Sequence, residues 1–377
     1  MKKNILTLLI IITLLSIGTL TSYSIDNTIK IGLVGAMTGS AADHGTRQSL
    51  GASFAIEKVN AAGGINGKMV ELVVFDDKAD PKEAANIANR FVSDPEILCV
   101  IGHANSSCTL AGAPVYNRGG LAHITTTSSS PAITDAGPYT FRLWVTDAYV
   151  ARVDIESMVE AGYDKIAIIY ENNDFGRGGY DVANRTLNSL GLKPIAVESY
   201  LLGETKDFST IITKLQNAGA EAVYAVSDEI EIAAFLTQSK QYDYNPFFMC
   251  RGVYSPTVLR LAGDAAEGAI GAPLAFLADP GSELTDWTKE FMEHYNLEIS
   301  DQYAPVAYEA ARIILTAIKE RGEDREAVKD YISNLKSWKG MLGEVSFDEN
   351  GDAFLPLTHM MVKDGRFVPW SPETHKK

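Results

Sequence analysis

Apolar and polar positions follow a repeating rhythm along this chain: short unbroken apolar runs, then longer stretches of helical spacing. Ile97 to Ile101 is the sharpest of the runs. Consecutive apolar residues of this kind suit a strand buried on both faces of a parallel sheet. Gly102 breaks the run, and Ser106 is then placed to cap a helix running towards Tyr116. A strand, a glycine turn and a hydroxyl-bearing helix start together make an anion site. Unpaired N–H groups and the positive end of the helix dipole point out of the sheet edge. This corner is expected to hold the carboxylate of a small molecule; an ordinary capped helix with nothing bound has the same pattern.

Strands are expected at Ile29–Ala36, Met69–Phe75, Ile97–Ile101 and Leu121–Ile124, with helices between them, and Phe141–Trp144 closes the series. The rhythm restarts with strands at Lys165–Tyr170, Pro194–Tyr200, Glu221–Val226 and Pro246–Cys250. Between these come a helix ending at Leu190, one capped by Asp207 and one over Glu229–Gln241. Such alternation gives parallel sheet with helices on both faces. The fold class is therefore α/β, with two doubly wound, Rossmann-like lobes. Helices over Glu283–Tyr295, Tyr303–Lys319 and Arg325–Leu335 follow, then a hairpin around Asp364-Gly365. If those helices pack back on the first lobe, each lobe is discontinuous in sequence.

The 377 residues exceed what one core usually covers, in keeping with two domains. A formal net charge of −15, with no basic stripe, argues against a nucleic-acid partner. Met1-Lys2-Lys3, the apolar stretch Ile5–Leu15 and small residues at Ser22 and Ser24 form a cleavable signal peptide over residues 1–24. The apolar stretch is too short to span a membrane comfortably, and no Cys follows it for lipid attachment. The mature protein is expected in the periplasm. Cys99, Cys108 and Cys250 lack metal-ligand spacing and are expected to be buried, inert thiols.

Ligands of open α/β sheets sit beyond the carboxyl ends of the strands. In the first lobe that rule selects loops 37–45, 102–107 and 125–130, which offer hydroxyls and N–H groups. In the second it selects 171–175, 227–229 and 251–254, which offer aromatics and both signs of charge. A cleft with these walls suits a small zwitterionic or polar guest. Catalytic patterns are poor. There is no Gly-x-Ser-x-Gly elbow, and Gly63–Lys68 lacks phosphate-loop spacing and is expected to be a surface turn. Asp76-Asp77 reads as strand-end carboxylates capping the next helix. His44 and His103 read as loop histidines without a ligand-spaced partner. Asp228-Glu229-Ile230-Glu231 reads as helix N-terminal charge, with Asp228 itself able to face the cleft. Neither an enzyme activity nor a cofactor or metal is expected.

Several motifs, in order, carry a family resemblance. They are Ile31-Gly32-Leu33-Val34-Gly35-Ala36-Met37-Thr38-Gly39, Asn60-Ala61-Ala62-Gly63-Gly64-Ile65-Asn66-Gly67, Asp76-Asp77 with Asp80-Pro81, and Val100-Ile101-Gly102 with Ser106-Ser107. Asp207-Phe208-Ser209, Leu261-Ala262-Gly263-Asp264-Ala265-Ala266-Glu267-Gly268 and Phe347-Asp348-Glu349-Asn350-Gly351-Asp352 continue the series. The chain resembles the type I periplasmic binding proteins, in particular the leucine/isoleucine/valine-binding group that serves ABC transporters. The resemblance implies two lobes joined by three crossovers, near 144–146, 272–273 and 353–356, closing over an amino acid. Lobe 1 would be 25–145 plus 273–354, and lobe 2 would be 146–272 plus 355–377. A monomer that passes its ligand to a membrane permease is implied.

The resemblance also implies site residues. The ligand carboxylate is held by a serine at a helix start, matching Ser106 with Ser107 beside it, and by the loop matching Thr127, Ser128 and Ser129. The amine is met by that loop and by an acidic residue of the second lobe. That acidic position is Arg251 here. Asp228 and Phe175 stand where the family has tyrosines, and His44 stands for an aromatic. The second-lobe half of the site is rewritten, which makes a branched-chain ligand doubtful. Either Asp228 takes the amine and Arg251 meets a polar or acidic group on the ligand, or Asp228 and Arg251 pair with each other. A ligand-sensing module for a membrane signalling partner and an exported α/β enzyme are the competing functions.

Overall fold

In the computed structural model, which describes residues 28–274, 283–297 and 301–377, the apolar runs become the strands of two sheets. The signal peptide expected at 1–24 lies outside the described residues. Strands β1 (Thr28–Gly35), β2 (Met69–Asp76), β3 (Ile97–Ile101), β4 (His123–Thr125) and β5 (Thr140–Arg142) form the first sheet. All are parallel, in the order β2-β1-β3-β4-β5. The second sheet contains β6 (Ile166–Glu171), β7 (Ala196–Tyr200), β8 (Ala222–Val226), β9 (Phe247–Cys250) and β10 (Ile270–Gly271), all parallel. The antiparallel hairpin β13 (Met360–Lys363) and β14 (Arg366–Pro369) extends it beyond β10. β11 (Trp338–Gly340) and β12 (Gly343–Val345) form a separate two-stranded ribbon.

Helices α1 (Ala42–Ala61), α2 (Pro81–Ser93) and α3 (Ser106–Gly119) follow the first three strands. Helices α4 (Asp147–Glu160), α5 (Asp174–Ser189), α6 (Ser209–Ala218), α7 (Glu229–Gln241) and α8 (Pro256–Ala262) belong with the second sheet. The chain then returns to the first lobe with α9 (Glu283–Tyr295), α10 (Tyr303–Arg321) and α11 (Arg325–Ser333). Local signals account for several helix ends. Asp80 accepts from Lys82 and Glu83 N–H with Pro81 at the first position, and α3 stops at the left-handed Gly120 (φ 62°). Several boundaries differ from expectation: β4 begins at His123 rather than Leu121, β5 ends at Arg142 rather than Trp144, and α6 starts at Ser209 with Phe208, not Asp207, at its cap position. α1 starts at Ala42, so His44 sits on its first turn rather than in a loop. The residue capping α3 is Asn105, and Ser106 is the first helical residue.

Each sheet has a packed core on both faces. In the first lobe, one face meets α1, α9 and α10 through Phe54, Phe291, Ala310 and Ile314, and the other meets α2 and α3 through Ile87, Phe91 and Tyr116. α1 and α10 touch backbone to backbone. A Cβ on Gly51 would stand 2.0 Å from the Ala304 carbonyl oxygen. Gly51→Ala is therefore expected to destabilise the first lobe by about 1–3 kcal/mol through overpacking, read as a lowered melting temperature.

The chain crosses between the lobes after β5, after β10 and before β13. Arg142, fully buried at the end of β5, locks two of these crossings together. Its Nε and Nη2 donate to the Asp352 carboxylate at 2.8 and 2.6 Å, and Nη1 donates to the Ser130 carbonyl at 2.8 Å. Strand order reverses beside β1 in the first sheet and beside β6 in the second. In a doubly wound sheet the crevice opens at that reversal. The loops after β1 and β3 therefore face the loops after β6 and β8 across the gap.

Candidate ligand-binding cleft

A cavity of about 340 Å³ fills that gap. Of the nine residues expected to bind ligand, Ser106, Ser107, Thr127, Ser129, His44, Phe175, Asp228 and Arg251 line it. Ser128 does not. It is 1 % exposed, its hydroxyl is shared with Thr109 at 2.8 Å, and it lies 3.2 Å from the His103 and Ala104 carbonyls. It braces the corner from behind, because its position in the turn points its side chain into the lobe.

On the first-lobe wall, Ser106 Oγ accepts hydrogen bonds from the Ser129 and Ser130 N–H groups at 3.3 and 3.2 Å. Both donors point at its oxygen, so its own proton is left for a third partner in the cavity. The expected cap role is thus replaced: the oxygen serves the 129–130 backbone instead of its own helix. Among the described residues, the N–H groups of Ser106, Ser107 and Cys108 at the start of α3 make no hydrogen bond. Thr127 Oγ1 donates inward to the Ala104 carbonyl at 2.5 Å, which leaves it an acceptor towards the cavity. Ser107 Oγ accepts from the Asp174 N–H at 3.2 Å, tying α3 to α5 of the other lobe. Behind the corner, His103 and Asp77 are fully buried and pair at 2.7 Å. Asp77 was expected to cap a helix; Asp80 takes the cap, which frees Asp77 for the imidazole of His103, a loop histidine as expected.

On the second-lobe wall, acidic side chains are gathered rather than exposed. Asp228, Glu229 and Glu231 are buried, while Ile230 between them is 37 % exposed. The run is helix N-terminal charge, as expected, with Asp228 at the cap position of α7 and facing the cavity; its burial is what the pattern did not report. Glu229 Oε2 lies 3.1 Å from His44 Nε2, and Glu229 Oε1 accepts from the Tyr303 hydroxyl. Asp228 Oδ1 is 3.8 Å from the same His44 nitrogen. The pairing of Asp228 with Arg251 does not occur. Arg251 Nε instead donates to Asp147 Oδ1 at 3.0 Å, and the other oxygen of Asp147 accepts from Ser129 Oγ at 2.8 Å.

Burial opposes a charge on His44, but the carboxylates of Glu229 and Asp228 outweigh it and raise its pKa to about 10. Burial, with Glu229 and Glu231 nearby and His44 opposing, raises Asp228 to about 7. Burial and the Asp228 charge push Glu171 well above the usual carboxylate range. His44, Asp228 and Glu229 bring one ligand atom each within 4.8 Å of one another, a set able to hold a cation. The raised pKa of His44 lets its own imidazole carry the balancing positive charge there.

Glu229, Tyr303 and Asp147 were missed. Glu229 was visible only as part of a charge run and Tyr303 only as a helix start, while α4 and its first residue Asp147 were not expected at all. What sets them apart is lobe-to-lobe contact, which no local pattern reports.

The sequence matches the family model described as "Periplasmic binding protein" over residues 28–371. The chain is 34 % identical over 359 residues to the leucine-, isoleucine-, valine-, threonine- and alanine-binding protein of Pseudomonas aeruginosa, covering 93 % of this chain and 94 % of that one. It is 32 % identical to a Leu/Ile/Val-binding protein homolog of Brucella suis, covering 87 % and 88 %. In fold it resembles the branched-chain amino acid transporter substrate-binding protein of Streptococcus pneumoniae solved with isoleucine. The TM-score is 0.83 at 22 % identity, covering 90 % of this chain and 97 % of that one. A two-lobed α/β chain whose cleft lies at two facing switch points is a solute-binding scaffold. This chain belongs to the periplasmic binding protein family, as its motifs imply.

Proposed function

We propose that this protein is the solute-capturing component of an ABC importer, exported to the periplasm. It would trap an amino acid or a related small carboxylate between its lobes and deliver it to a membrane permease. The moving bodies are residues 25–145 plus 273–354 and residues 146–272 plus 355–377, turning about the three crossovers. The observation that carries the reading is the first-lobe corner. The free N–H groups of the α3 start, the positive end of its dipole and the unassigned Ser106 proton all face one cavity. A carboxylate satisfies all three.

The amine then belongs at Asp228. Its side chain lines the cavity, is 10 % exposed and makes no hydrogen bond among the described residues. The contacts of His44 and Tyr303 with Glu229, and of Asp43 with Thr257, hold the closed form across the cleft. The second-lobe rewriting thus keeps a negative charge for the amine but moves it to another strand end.

A thermal-shift screen of amino acids, dicarboxylates and aromatic acids tests the reading, since a ligand that binds the native state raises the melting temperature. Stabilisation by at least one α-amino acid or small carboxylate, reduced in Ser106→Ala, is expected. A complete absence of shifts across the screen would overturn it.

Affinity should also depend on pH. An ammonium needs Asp228 ionised, and with a pKa of about 7 in the empty site the carboxyl holds a proton at lower pH. Binding below pH 7 must release that proton, so affinity should fall as pH drops, approaching tenfold per unit. Calorimetry in two buffers of different ionisation enthalpy measures the proton released. A flat profile between pH 5 and 7 would exclude the ammonium from Asp228.

A further inference from the structure

We propose that the ligand is an α-amino acid whose side chain carries a hydrogen-bond-accepting oxygen, and that the terminal nitrogens of Arg251 receive that oxygen; this rests on the amino-acid reading above. The Arg251 side chain is 7 % exposed and faces the cavity. Its Nε is bound to Asp147, which is fully buried and holds Ser129 with its other oxygen. Asp147 therefore fixes the plane of the guanidinium between the two walls. Among the described residues, Nη1 and Nη2 of Arg251 make no hydrogen bond. Two unpaired NH₂ groups on so enclosed a guanidinium call for an acceptor supplied by the guest.

That acceptor is not Asp228, which turns towards His44. Nor need it be the carboxylate already assigned to the α3 start, where Ser106 and the free N–H groups supply the donors. The wall thus distinguishes three parts of one guest: acid at Ser106, ammonium at Asp228, and a side-chain oxygen at Arg251. A purely aliphatic side chain would cover the Nη groups without pairing them. A site built to hydrogen-bond a substrate group rejects the analogue that lacks it. An amide or hydroxyl oxygen and a second carboxylate share this chemistry.

Titration calorimetry with L-glutamine, L-threonine, L-glutamate and L-leucine tests the inference and separates these sources. At least one oxygen-bearing amino acid is expected to bind ten or more times tighter than leucine. Arg251→Met combined with Asp147→Asn, which removes both buried charges together, should reduce that preference to below threefold. Arg251→Lys keeps the charge and loses the fork, and should show the same loss of preference should the double variant not fold. Leucine binding as tightly as the oxygen-bearing set, or a preference that survives these variants, would overturn the role of Arg251 and leave the amino-acid reading standing. If no amino acid binds, the reading beneath it fails first.

Discussion

Asp228→Asn is expected to weaken α-amino-acid binding by about 2–4 kcal/mol, roughly 30- to 1,000-fold, with little loss of fold stability. The substitution keeps shape and removes the buried carboxylate of the cavity wall, which makes no hydrogen bond among the described residues. A buried ammonium then faces an amide that can solvate it but cannot neutralise it. The same change removes a charge that burial disfavours, and Glu229 and Glu231 add to that cost while His44 offsets part of it. The empty variant should therefore melt at or above the wild-type temperature. Calorimetric affinity and a melting curve, measured side by side, separate loss of the ammonium partner from general damage. Unchanged affinity would remove the amine from this wall.

Arg142→Met is expected to destabilise the protein by about 3–5 kcal/mol, read as a shift in denaturant unfolding. The guanidinium is fully buried and reaches Asp352, Thr134 and the Ser130 carbonyl at 2.6–2.8 Å. Methionine fills much of the volume but leaves the Asp352 carboxylate with the Thr134 hydroxyl and the Ser130 oxygen with the Ile133 N–H, both short of the charged donor. The consequence should extend to the site. Ser130 also donates its N–H to Ser106 Oγ, so loosening its carbonyl disturbs the hydroxyl that faces the ligand. Ligand affinity should fall alongside stability, although Arg142 does not line the cavity. A stability loss below about 1 kcal/mol would show that this pair contributes little to holding the crossings.

The elements were legible because buried parallel strands leave a strong local mark. Ile97–Ile101 was expected as a strand and is one, and the hairpin turn at Asp364-Gly365 lies between β13 and β14. The donor-rich corner was legible for the same reason: a glycine break and a serine cluster follow a strand. Side-chain direction was not. Thr127, Ser128 and Ser129 are consecutive and chemically alike, yet Ser128 points into the lobe while its neighbours face the cavity. The second-lobe wall was the hardest to read. Glu229 sits 185 positions from His44 and Arg251 sits 104 from Asp147. Pairings at that separation leave no periodic trace, and a buried acidic run carries the same letters as a solvated one.

The most direct test of the central claim is a crystal structure of the protein with its amino-acid ligand bound. The ligand carboxylate is predicted within hydrogen-bonding distance of Ser106 Oγ and the N–H groups at the start of α3, inside the inter-lobe cavity. A guest lying outside that cavity, or one that turns its acid group towards the second lobe, would contradict the account.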